Sequence, residues 1–216
     1  MVILLYYNLA VECTFLVALS DLSSAQLNAS TKMWDDLVWL LNYAATRPSN
    51  SITYIASDMC FHAHIDASYI STPKACSRAE GHFFFGYKPI QQNSPEDTSL
   101  NGTIHVVYKI IKNVLGSAAE AEIGTCYINA HELLPIRVCA EEMGHPKPPT
   151  LLQVDNTTSL GFANKNIKQE MTKAIDMRLY WIQDRKDQGQ FTIYWSPVKT
   201  TLLVITENTI LLLITH

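Results

Sequence analysis

No two of the five cysteines (Cys13, Cys60, Cys76, Cys126, Cys139) form a CxxC pair, and their number is odd. That argues against a disulfide framework and for reduced, intracellular thiols, with cytoplasm or nucleus left open. Cys60-x-His62-x-His64 with Cys76 and His82 lacks the second paired half that zinc sites on turns require. Charge is scarce as well. Only 17% of residues are charged, with 16 Lys+Arg against 20 Asp+Glu and a net charge of -4. A duplex binder usually carries a basic face, and no global excess supplies one here. No internal repeat or low-complexity tract occurs. Residues 1–20 are apolar but have no positive leading region and no small-residue cleavage pattern, which argues against a signal peptide. Glu12 inside them would cost a membrane span roughly 2.5–3.5 kcal/mol, so no membrane association is expected. The segment reads as the trailing edge of a larger domain, its apolar face meant for a partner surface.

What is present is a chain of 216 residues, 48% hydrophobic, with length for one globular domain and a flanking segment. It is organised around His62-Ala63-His64-Ile65-Asp66-Ala67-Ser68-Tyr69. At strand spacing, Phe61, Ala63, Ile65 and Ala67 fall on one face and His62, His64, Asp66 and Ser68 on the other. By itself such a segment is an amphipathic edge strand with its polar face in water.

In chain order, residues 30–45 predict an amphipathic helix capped by Ser30 or Thr31 and ended by Arg47-Pro48. Residues 52–56 read as a short strand, followed by the Asp66 strand, a turn at 71–74 and an aromatic strand at 81–86. A polar loop over 89–102 ends in Asn101-Gly102, a hairpin signal, and 103–110 is β-branched and aromatic. These strands form an antiparallel meander. Residues 117–143 predict a long helix with a kink or break near Leu134, ahead of Pro135. Ser117 and Glu120 form a capping box, which gives Glu120 a structural role and leaves Glu122 free. Residues 151–154 read as a buried central strand ending at Asp155. Helices are expected over 156–165 and 172–188, and a last strand over 190–196. Lys165, Lys168, Lys173, Arg178, Arg185 and Lys186 concentrate positive charge in one region.

Three carboxylates then stand in a chemically meaningful order. Asp66 lies mid-strand, Glu122 in the opening of the long helix, and Asp155 at the end of the next strand. Carboxylates on adjacent elements can hold two divalent cations about 4 Å apart, one to activate water and one to stabilise a leaving oxygen. Hard oxygen donors suit Mg²⁺. Glu120 and Glu122 point about 200° apart on a helix, so both cannot face one ion pair; capping by Glu120 favours Glu122.

The matching words run further than the carboxylates. They include Val17-Ala18-Leu19-Ser20-Asp21-Leu22, Leu40-Leu41-Asn42-Tyr43, Asp66-Ala67-Ser68-Tyr69, Ser77-Arg78-Ala79-Glu80-Gly81 and Ser117-Ala118-Ala119-Glu120-Ala121-Glu122. Asp155-Asn156, Lys173-Ala174-Ile175-Asp176-Met177-Arg178 and Tyr194-Trp195 continue them. In that order and spacing, residues 17–197 resemble the reverse transcriptase/ribonuclease H part of a copia-type retrotransposon polyprotein. The resemblance implies an α/β (α+β) ribonuclease H-like mixed sheet: a three-strand meander, then helices and two further strands. It implies residues 1–50 as the tail of a reverse-transcriptase domain with a connector helix, 51–197 as the ribonuclease H-like domain, and 198–216 as an aberrant apolar tail. The activity implied is cleavage of the RNA strand of an RNA–DNA hybrid with two Mg²⁺ ions, or Mn²⁺, held by Asp66, Glu122 and Asp155. The partners implied are the hybrid and the rest of the polyprotein. Ser68, Arg78, Asn156, Lys173 and Arg178 are expected to form a positive rim for phosphates. An integrase, which shares the fold class, would order its carboxylates Asp, Asp, Glu; here the Glu is second. The family's final Asp-Tyr word is absent: residues 198–216 contain no Asp and only Glu207 as a carboxylate. A frameshift after about Lys199 would account for this, giving an impaired enzyme or a silent remnant that at most binds nucleic acid.

Overall fold

The computed structural model describes residues 2–11, 13–28, 30–46, 52–72, 75–88, 101–113, 115–154, 161 and 173–195. The chain divides into two units, one containing residues 1–53 and the other residues 54–197. In the first, α1 (Val2–Ala10), α2 (Leu16–Ala25) and α3 (Thr31–Thr46) are helices. Ser30 caps α3, its Oγ accepting the Met33 N–H at 3.2 Å, which satisfies one of the donors a helix start leaves open. Met33, Leu37, Leu40 and Ala44 recur at helical spacing and pack against Phe15, Leu19 and Leu22. No helix among the described residues is long and apolar enough to cross a membrane.

The second unit is built on one five-stranded sheet. In chain order it comprises β1 (Cys60–Thr72), β2 (Cys76–Gly86), β3 (Thr103–Ile111), α4 (Ala118–Glu142), β4 (Thr150–Val154), α5 (Lys173–Asp187) and β5 (Phe191–Trp195). The strand order is β3-β2-β1-β4-β5. The first three strands are the expected antiparallel meander, while β4 pairs parallel to β1 and β5 parallel to β4. Burial dictates that arrangement. Leu152 and Val154 are fully buried, as a strand between two neighbours requires. Phe61, Ala63 and Ile65 of β1 face α4, where they meet Phe83, Val107, Ile123, Cys126, Ala130 and Leu133. Leu179 and Ile182 bring α5 onto the same core.

Two expectations fail for local reasons. Residues 52–56 are not a strand. They are held by a side chain in place of a neighbouring strand: Asn101 accepts the Ile55 N–H at 2.7 Å and donates to the Ile55 carbonyl at 2.8 Å. The same carboxamide donates to the Phe85 carbonyl at 2.7 Å. The residue expected to shape a hairpin turn thus supplies the ladder that residues 52–56 lack. The second is the break, one of the two alternatives expected near Leu134, ahead of Pro135. The helix runs through it unbroken from Ala118 to Glu142, because Leu133 is fully buried and Leu134 and Ile136 pack on the core on either side. The helix expected over 156–165 lies outside the described residues except for Gly161, which is helical.

The turn from α4 to β4 depends on Arg137. Its guanidinium donates to the carbonyls of Lys147 and Pro148 and to Thr150 Oγ1 at 3.3 Å, and it pairs with Glu141 at 3.0 Å. Arg137→Ala would leave those acceptors without their donor. We expect it to lower the free energy of unfolding by about 2 kcal/mol, measured as a shift of the urea midpoint. An unchanged midpoint would show that water replaces the guanidinium at no cost.

Candidate active site

The strand alternation that turns Ile65 toward α4 sets Asp66 on the opposite face with His62 and His64. Asp66 Oδ1 accepts the Ala67 N–H at 2.7 Å, and across β2 its partner is Glu80. Two residues on, Ser68 pairs with Arg78, and its hydroxyl contacts Ser71 Oγ at 2.7 Å. The pairing slips between Ser68 and Thr72, where Ile70 takes φ 52° and donates its N–H to Ser77 Oγ at 3.1 Å. A left-handed conformation costs an L-residue about 1–2 kcal/mol, so this bend is held by its surroundings.

The polar face of β1 is only partly in water: His62 is buried, while His64, Asp66 and Ser68 are half-buried. His62 is fully buried, stacked on Phe84 at 5.2 Å with Nε2 against the Tyr87 carbonyl at 3.0 Å. His64 and His82 are directly opposed across β1 and β2, and both rings also meet Phe84, at 5.1 and 5.4 Å. Burial, with the neighbouring histidines, holds His64 down to about 3, and burial alone holds His82 at about 4. The signal was Gly81-His82-Phe83-Phe84-Phe85-Gly86, but only the register shows that Phe84 faces the histidines.

Glu120 and Glu122 separate as capping predicts. Ser117 Oγ accepts the Glu120 N–H at 3.2 Å, and Glu120 Oε2 accepts the N–H of Gly116 at 2.7 Å. The reciprocal bond therefore falls one residue before the cap. Glu122 is 7% exposed and heads a stripe that continues through Cys126, Asn129 and Leu133 along the sheet-facing side of α4. Burial first, and the Glu122 charge second, push the Cys126 thiol up to about 12, so this cysteine stays protonated. The helix runs opposite to β1. Asn129 lies over Gly81, the partner of Ile65, whereas Gly124 lies against Ile111, which pairs with Ser77 near the far end of β1. Along α4, Glu122 therefore lies beyond Asn129 in the direction of the Ser68–Thr72 end of β1. His64 pairs with Gln153 of β4, and β4 closes at Val154; Asp155 and Asn156 lie outside the described residues.

Of the expected rim, Arg78 is 4% exposed, its guanidinium 4.8 Å from the Tyr108 ring centre. Arg178 donates to Asn113 Oδ1 at 2.8 Å, lies 5.6 Å from the Tyr127 ring and passes over Gly124. Both cations are engaged within the fold. Lys173 opens α5, and its side chain is outside the description. Asp66 and Glu122 offer hard oxygen donors that fit Mg²⁺ better than zinc. Among the described residues no group of three His, Cys, Asp or Glu is placed to hold a metal ion, and the third carboxylate of the expected set is Asp155.

The strand order and directions are those of the mixed sheet expected from the sequence, a three-strand antiparallel meander with two further strands. No family model matches the chain. The chain is 20% identical over 166 residues to the Retrovirus-related Pol polyprotein from transposon TNT 1-94 of Nicotiana tabacum, a match covering 77% of this chain. It spans 12% of that relative's length. Among solved structures, the N-terminal RNase H domain of a Mycobacterium tuberculosis protein, fused to maltose-binding protein, is similar with a TM-score of 0.43 and 10% identity. That match covers 73% of this chain and 97% of the other. LC11-RNase H1 in complex with an RNA/DNA hybrid also scores 0.43, at 9% identity, over 66% of this chain and 89% of the other. In sequence, then, the chain is similar to a copia-type retroelement polyprotein.

Proposed function

We propose that this chain is a ribonuclease H-type endonuclease module acting on the RNA strand of an RNA–DNA hybrid within a larger retroelement polyprotein. The observation that supports the reading is the mixed sheet with Asp66 on its central strand β1 and Glu122 as a buried carboxylate on the sheet-facing stripe of α4. Asp66, Glu122 and Asp155 would hold two Mg²⁺ ions, with Mn²⁺ as a substitute. When bound, such ions supply an activated water and stabilise the leaving oxygen. The chain's own part is to fix the carboxylates in place and to bind the hybrid. Ser68, Asn156, Lys173 and Arg178 would flank the phosphates, with Arg178 pre-oriented by Asn113 and Tyr127 and the buried Arg78 adding its charge from within the fold.

Residues 198–216 offer no Asp as a fourth ligand. Loss of a group that acts mainly in the transition state lowers kcat more than binding, so we propose a chain that binds hybrid but cleaves it slowly. The test compares the present chain with one in which residues 200–216 are replaced by an Asp-Tyr word opening a last helix. The repaired chain should cleave at least roughly 100-fold faster with Mg²⁺, at similar hybrid affinity. Equal rates would show that the tail is no defect. No cleavage by either, with hybrid still bound, would favour a silent nucleic-acid-binding remnant.

A further inference from the structure

We infer that Asn129 and Gly81 form a lock that sets the height of α4 over the sheet and thereby positions Glu122; the second half rests on the metal-site reading above. Asn129 is fully buried in the middle of an apolar helix stripe, a place where an uncharged amide needs a reason. Its Nδ2 donates to the Thr125 carbonyl one turn back at 2.9 Å and across to the Glu80 carbonyl of β2 at 3.1 Å. Its Oδ1 accepts no hydrogen bond. That oxygen occupies the place of a side chain on β2: a Cβ built on Gly81 would stand 1.7 Å from Oδ1 and 2.7 Å from Cγ. Position 81 is therefore glycine because the helix side chain fills its volume, and position 129 is asparagine because only a short carboxamide both fits there and reaches the strand backbone.

The lock bears on the site through register. Glu80 and Gly81 are the strand partners of Asp66 and Ile65, so Asn129 grips the backbone directly across from the Asp66 segment. Glu122 is seven residues, close to two turns and about 10.5 Å, before Asn129 on the same side of the helix. Any lift, slide or roll of α4 at Asn129 is transmitted to Glu122, because a helix moves as a rigid rod over two turns. Asn129 and Gly81 touch neither ion nor hybrid. They are positioning residues.

The experiment uses the full chain and its Gly81→Ala, Asn129→Ala and combined variants, with urea unfolding and Mn²⁺ titration followed by electron paramagnetic resonance. Gly81→Ala alone should unfold readily or fail to fold, whereas the double variant should fold, because the new methyl enters the space the carboxamide leaves. Asn129→Ala and the double variant should fold yet bind Mn²⁺ roughly tenfold more weakly, the scale on which removing support around a metal ligand acts. Wild-type Mn²⁺ affinity in both would overturn the positioning role. If Gly81→Ala destabilises equally with and without Asn129, the lock itself is wrong. If the wild-type chain binds no Mn²⁺, or binds it unaffected by Asp66→Asn and Glu122→Gln, the metal-site reading fails, and the stability cycle alone decides the lock.

Discussion

Glu122→Gln in the tail-repaired chain should lower Mg²⁺-dependent hybrid cleavage by roughly 10²–10³-fold, the scale of removing one group that stabilises transition-state charge. Gln keeps the shape of the buried side chain but removes the negative charge that an ion needs, so the fold should persist and hybrid affinity should change little. Glu120→Gln is the matched control. Its carboxylate accepts the Gly116 N–H at the helix start, and its loss should cost about 0.5–1 kcal/mol of stability with cleavage unchanged. Cleavage that survives in Glu122→Gln but collapses in Glu120→Gln would reverse the assignment. Single-turnover rates and urea midpoints on both variants separate the outcomes.

Acid should destabilise the fold strongly through the histidine layer. His64 and His82 are depressed to about 3 and about 4 from an ordinary value of 6.5. His62 is lowered in the same direction, chiefly by burial. His64 and His82 are partly exposed, but their Nε2 and Nδ1 atoms, respectively, are buried and have no hydrogen-bond partner among the described residues. The folded state therefore favours neutral rings. The unfolded chain takes up protons first, so stability is fully present above about pH 6.5 and is lost as pH falls toward 4 and 3. At pH 5, 1.5 units below the ordinary value, His64 and His82 each cost up to about 2 kcal/mol. On this face Asp66 and Glu80 lie about 7 Å further along the strands, and Gln153 stands opposite His64 in the parallel pair. Urea midpoints at pH 7.5 and pH 5 at fixed ionic strength should differ accordingly, and His82→Leu should cut the difference by about half. Equal midpoints would mean that the rings reach water before they protonate.

The parts legible in the sequence are those that depend on neighbours along the chain. Alternation marks the β1 strand around Asp66, helical spacing marks α3 and α5, and Ser117-Ala118-Ala119-Glu120 marks the start of α4. What was not legible depends on partners distant in sequence. Residues 52–56 have strand composition, but the partner is one side chain, Asn101, 46 residues away. His62 looked solvent-facing because nothing local announces that Phe84 will stack on it. Arg78 and Arg178 read as free cations because Tyr108, Tyr127 and Asn113 meet them only after folding. Asn129 was visible as a polar residue on an apolar stripe, seven positions after Glu122, and that mismatch was the available signal for the lock.

Asn101 also governs how the protein ages chemically. It precedes Gly102, the pairing in which an asparagine side chain is most readily attacked by the next backbone nitrogen and hydrolysed to aspartate or isoaspartate. In the fold, the carboxamide is held by the Ile55 N–H, the Ile55 and Phe85 carbonyls and the Gly102 N–H itself. With both ends of the amide tethered, the rotation that attack requires is blocked, and conversion should be confined to molecules in which this corner has opened. Once converted, the residue would turn a carboxylate toward two carbonyl oxygens, and the corner would not close again. Deamidation at this position is therefore a one-way clock that counts openings of the segment leading into β1.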